Sequence, residues 1–163
     1  MARTDPDARP QVSVFDRLLD DQPRNRHEVL PNRFQAIRQY KEAVGRDLES
    51  LLNSRANPWE PGPEHPELAA SMFTYGLPDF STLSVAAASH RLILVRRIQR
   101  AIQLHEPRLG SVSVDVPADN DSPGKLQLRF VVTALLLMDP APEQVAFDTV
   151  LELSRGEYKV KGD

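Results

Sequence analysis

Leu104-His105-Glu106-Pro107-Arg108-Leu109 is the stretch where this 163-residue chain changes character. Ahead of it apolar residues recur with helical spacing; beyond it they alternate, as they do in strands. Pro107 has no N–H to donate, and a residue preceding proline is driven out of the α region, so a helix running into His105 has to stop there. The spacing therefore predicts a rigid corner between a helical half and a sheet half. In extended backbone, residues two apart leave on the same side, so the Glu106 carboxylate and the Arg108 guanidinium are placed to act together. They serve either as a local ion pair on a turn or as paired charges offered to another molecule.

Upstream of the corner, a helix is predicted over 82–105. Leu83, Ala87, Leu94, Ile98, Ala101 and Ile102 make its core-facing stripe. Ile93, Arg96, Arg97, Arg100 and Leu104 gather on the opposite side, where arginine stems covering apolar surface suit a protein interface as well as a solvated face. An earlier helix is predicted from a cap at Asn32 to about Asn53, with Phe34, Ile37, Tyr40, Val44, Leu48, Leu51 and Leu52 along one buried arc. Between the two helices, residues 57–66 hold four prolines and Trp59, the sole tryptophan. A loop aromatic of this kind is expected to plug the domain's own core. Glu67 to Thr74 suits a short helix, broken by Gly76 and Pro78. Val12, Val14, Phe15, Leu18 and Leu19 suggest one more short amphipathic helix behind a polar, mobile tail over 1–11. Residues 12–163 read as one domain.

Downstream, the period falls to two. Val112, Val114 and Val116 alternate with polar residues, a long strand is predicted over 125–138, another runs from Val145 to Leu153, and Gly156 turns the chain into Tyr158 to Val160. On the long strand, Val131, Leu135 and Leu137 make the second face apolar as well, so that end is expected to be covered. The fold class that follows is α+β: N-terminal helices, two of them long, packed on a small antiparallel sheet of three to four strands.

Composition narrows the function classes. The net charge of −3 and the absence of cysteine leave no general attraction to nucleic acid, no disulfide framework and no thiolate metal site. Charge is unevenly spread, with five basic residues and one acidic over 84–110 between acidic flanks. That layout favours protein docking over a polyanion groove. No apolar run is long enough to cross a membrane and the N-terminus lacks an apolar leader, so a cytoplasmic protein without membrane insertion is expected. His27, His65, His90 and His105 lack metal-ligand spacing, no phosphate-cradling glycine loop is present, and neither metal nor cofactor is expected. A peptidoglycan hydrolase with Glu106 as general acid is the enzymatic alternative. Arg108 argues against it, because a general acid has to stay protonated and a neighbouring cation favours the carboxylate. A nucleic-acid surface on Arg91, Arg96, Arg97 and Arg100 is a third reading, weakened by the lack of interleaved aromatics.

Several short motifs follow one another in a fixed order. They are Val14-Phe15-Asp16-Arg17-Leu18-Leu19-Asp20, Asn53-Ser54-Arg55, Tyr75-Gly76-Leu77-Pro78-Asp79, His105-Glu106-Pro107-Arg108-Leu109, Asp139-Pro140 and Phe147-Asp148-Thr149, with Gly156 and Tyr158 after them. In this the chain resembles the TssE family, small baseplate subunits of bacterial type VI secretion systems, and through it the baseplate-wedge proteins of contractile-tailed phages. Ser54, Phe80 and His105 are mild departures from the family pattern. The resemblance implies a non-enzymatic structural subunit, although the family carries a lysozyme-like label. It implies a wedge shared with TssF, TssG and TssK, a sheath of TssB and TssC started from this subunit, and an intersubunit contact through Glu106, Pro107 and Arg108. Arg96, Arg97 and Arg100 offer a second docking surface beside the corner.

Overall fold

The computed structural model describes residues 13, 14, 18, 32–59, 61–80, 87–117, 127–139, 141–152 and 156–162. The tail over 1–11 lies outside the described residues, as does most of the first expected helix. Helix α1, Arg33–Asn53, starts where the sequence places its cap. The Asn32 side chain accepts from the Gln35 N–H and the Gln35 side chain accepts from the Asn32 N–H, both at 2.9 Å, so two end donors are satisfied reciprocally. Its buried face is Ala36, Tyr40, Ala43, Val44, Gly45, Leu48, Leu51 and Leu52. Phe34 is 85% exposed and Ile37 only half-buried, so the expected arc is shifted at its N-terminal end. Small residues explain the shift: they let the helix come close to the sheet at Gly45, where a Cβ would lie 3.7 Å from the Phe147 ring. Phe34 lies three turns before that approach.

Helix α2, Pro66–Ala69, and a 3-10 turn, Met72–Thr74, follow, and helix α3 spans Ala88–His105. The expected start of α3 over 82–86 lies outside the described residues. Its buried residues, Leu94, Ile98, Ala101 and Ile102, are those the periodicity assigns. Strands β1, Leu109–Asp115, β2, Gln127–Leu136, β3, Glu143–Glu152, and β4, Glu157–Gly162, form one antiparallel meander in the order β1-β2-β3-β4. Both long helices cover the same face of it. The core runs from Tyr40, Val44 and Leu48 through Leu94 and Ile98 to Phe130, Val132, Leu136 and Phe147. A bulge interrupts β1 between Gly110 and Ser113, with Ser111 at φ 50°. On the far face of β2 the expected cover is missing from Leu135 and Leu137, which are exposed.

The loop between α1 and α3 is tied to the end of α1. The Leu77 N–H donates to the Ser54 carbonyl and the Ala56 N–H to the Leu77 carbonyl, both at 2.9 Å, with Arg55 and Leu77 bridged in parallel. Arg55 also lies 3.5 Å from the Asp79 carboxylate. The Asn53-Ser54-Arg55 and Tyr75-Gly76-Leu77-Pro78-Asp79 motifs are therefore two halves of one junction. Trp59 departs from expectation: it is 51% exposed and meets Phe73 edge-on, 5.5 Å between ring centroids, outside the main core. The prolines around it hold the loop on the surface, where backbone groups without ladder partners stay hydrated.

Candidate functional site

The corner is built by the backbone rule that predicts it. The Glu106 N–H still donates to the Ile102 carbonyl at 2.9 Å, but Glu106 itself has left the helix at φ −122°, ψ 79°, as a residue before proline must. The Leu109 N–H donates to the Glu106 carbonyl at 3.1 Å and closes the turn into β1. Glu106 and Arg108 do leave on one side, and they bind each other. Arg108 Nε donates to Glu106 Oε1 at 2.6 Å and Nη2 to Oε2 at 2.5 Å, a bidentate fork. The Arg108 backbone N–H adds a third, longer bond to Oε1 at 3.3 Å. Glu106 is 5% exposed, so its charge is buried and held by the guanidinium.

A third member comes from α1. Asp47 Oδ2 accepts from Arg108 Nη2 at 2.5 Å, and the Tyr40 ring lies under the guanidinium, 5.9 Å from its carbon to the centroid. Arg108 therefore bridges α1 to the corner, with its side chain still 22% exposed. The hydrogen bond to Glu106 raises its pKa further above an already high value; burial opposes this, and Asp47 adds to the rise. Burial also pushes the Tyr40 and Tyr75 hydroxyls up from the usual phenol range. Asp47, Leu51, Tyr75, His105 and Pro107 join Glu106 and Arg108 around an open cleft of about 330 Å³. His105 closes its side with Nε2 3.2 Å from the Thr74 carbonyl and its ring edge-on to Tyr75 at 5.4 Å.

The second surface lies on the outer side of α3. Arg96, Arg97 and Arg100 are exposed there, and so are Ile93 and Leu104, as their helical angles require. Leu92, which the sequence reading left out, is more exposed than either. Corner and helix face are thus separate features: the structure joins Glu106 to Arg108, and neither to Arg96, Arg97 or Arg100. Sequence reasoning also missed Asp47 and Tyr40. Only their position, Asp47 one turn before Leu51 and Tyr40 one turn before Val44 on α1, hints that they face the corner. Among the described residues, no group of three or more His, Asp or Glu side chains could hold a metal ion, and no helix is long and apolar enough to cross a membrane.

A four-stranded meander under two helices, with its buried charges locked to one another and apolar side chains left outside, defines a small structural module of the α+β class. The chain belongs to the baseplate wedge protein gp25 family, whose sequence profile matches residues 38–141. That membership gives it a structural role in a baseplate among other baseplate components. The matched span runs from α1 through the corner to the end of β2, so it contains Asp47, Glu106, Pro107 and Arg108. No curated protein and no solved structure matches the chain.

Proposed function

We propose that this protein is the TssE subunit of a type VI secretion baseplate, acting in the cytoplasm without catalysis. Pro107 and the exposed part of Arg108 dock into the wedge of TssF, TssG and TssK, with Arg96, Arg97 and Arg100 as the second contact. The sheet then starts the sheath of TssB and TssC by accepting partner strands at an edge. The observation that carries this reading is the locked corner within the family-matched span. Both Glu106 oxygens are engaged by one guanidinium, which fixes a rigid charged element for another protein to read. A buried pair of this kind contributes register more than affinity, because its desolvation roughly offsets its attraction.

The hydrolase alternative asks Glu106 to hold a proton and give it to a glycosidic oxygen. In the described geometry both oxygens of that carboxylate instead accept hydrogen bonds from the Arg108 guanidinium. The test is co-purification of the chain with TssF, TssG and TssK, with Glu106→Gln and Arg108→Ala made singly, alongside a murein-clearing assay. The expected outcome is weaker wedge association in both variants and no clearing by any form. Clearing by the purified wild-type chain, abolished by Glu106→Gln while the partners are retained, overturns the reading.

A further inference from the structure

The sheet has two edges, and the register decides how each is used. The Leu137 N–H donates to the Arg108 carbonyl at 2.8 Å, so from 137 every second β2 residue, 135, 133 and 131, turns its backbone toward β1. Their partners Gly110, Ser113 and Asp115 turn toward β2. Val114, between the last two, therefore points its N–H and C=O away from the sheet. By the same alternation Tyr158 and Val160 point outward from β4.

The β4 edge is already covered. The Asn53 side chain accepts from the Tyr158 N–H at 2.8 Å and donates to the Tyr158 carbonyl at 2.9 Å, the two bonds that another strand would make. Glu49 accepts from the Val160 N–H at 3.0 Å. On β1, among the described residues, it is the bulged end that is covered: Gln99 Nε2 donates to the Val112 carbonyl at 2.9 Å. Past the bulge, at Val114, no helix side chain among the described residues bonds the outward groups in this way. Gln99 also fixes which flank of α3 overhangs that edge. Leu92 precedes it by seven residues, two turns, so it lies on the same flank about 10 Å further along. About 10 Å is three residues of strand, and α3 runs antiparallel to β1, so Leu92 comes level with Val114 and Asp115. Leu92 is 58% exposed there, with Val95 half-buried one turn nearer to Gln99.

We infer that partner strands add at the β1 edge, pairing with the outward N–H and C=O of Val114. The occupant is an extended segment with apolar residues at alternate positions, one of which lies over Leu92. This rests on the templating reading above and assigns its edge. Backbone pairing supplies the affinity, and the apolar shelf on α3 selects the face.

The test measures binding of purified TssB–TssC to the full chain and to three variants, each checked for folding by circular dichroism. Val114→Pro deletes the outward donor and leaves the bonds to β2 in place, because proline is tolerated where a strand N–H faces solvent. Leu92→Glu alters the shelf alone, and it decides the matter if the proline variant does not fold. Asn53→Ala uncovers β4. A loss of at least tenfold in affinity with Val114→Pro or Leu92→Glu, and none with Asn53→Ala, supports the inference. Unchanged binding by folded Val114→Pro and Leu92→Glu overturns the edge assignment and leaves templating standing, as does a change confined to Asn53→Ala. Failure of the wild-type chain to bind TssB–TssC at all removes templating, and this inference with it.

Discussion

Arg108 shows how unequal the two halves of one ion pair can be. Glu106 is buried and depends on Arg108 for both carboxylate oxygens, whereas Arg108 also holds Asp47 and keeps part of its surface in water. Arg108→Ala strands a carboxylate inside the protein, a loss of about 3 kcal/mol. Glu106→Ala leaves the guanidinium with Asp47 and solvent and costs about 1–2 kcal/mol. Urea denaturation of the two variants is expected to show the arginine change as the larger shift in midpoint. Exchanging the pair, with Glu106→Arg and Arg108→Glu together, does not restore stability, because Glu at 108 then faces Asp47. The corner itself is legible in the sequence, since proline chemistry acts locally. The third member is not: Asp47 is 61 residues away, and on its helix it looks like any solvated carboxylate.

At the scale of elements, local signals carry far. The Asn32 cap, the end of α3 at the proline and four strands with alternating burial all follow from residues within a few positions of one another, and hairpin connections make the meander the simplest pairing. What fails is what depends on packing partners. The face of α1 is set by where small residues meet the sheet, so Phe34 drops out and Gly45 enters. Trp59 stays outside because its loop is docked through Leu77 instead. That docking gives Gly76 its role. Its φ is +110°, and a Cβ there would sit 2.4 Å from the Ser54 carbonyl oxygen, against backbone that cannot swing aside. Gly76→Ala is expected to cost about 3 kcal/mol or more, read as a lowered thermal midpoint, and to free the segment from Ser54 to Asp79 for proteolysis.

At the scale of the whole molecule, helices and sheet share one core, so a change at any strand registers in global unfolding. Tyr158 gives a pH handle on this. Burial against Phe130, 6.1 Å between ring centroids, pushes its pKa up to about 12 from an ordinary 10.0. The folded chain keeps that proton longer than the unfolded one, so the stability involved is fully present below pH 10 and falls away between pH 10 and 12. The loss amounts to about 2–3 kcal/mol. Chemical denaturation as a function of pH measures it, and Tyr158→Phe is expected to flatten the alkaline fall. Directly beside that ring, the Asn53 amide occupies the position of a fifth strand. A side chain of the protein's own thus plays the stranger on that border, and a strand from an identical copy finds the Tyr158 donor and acceptor already spoken for.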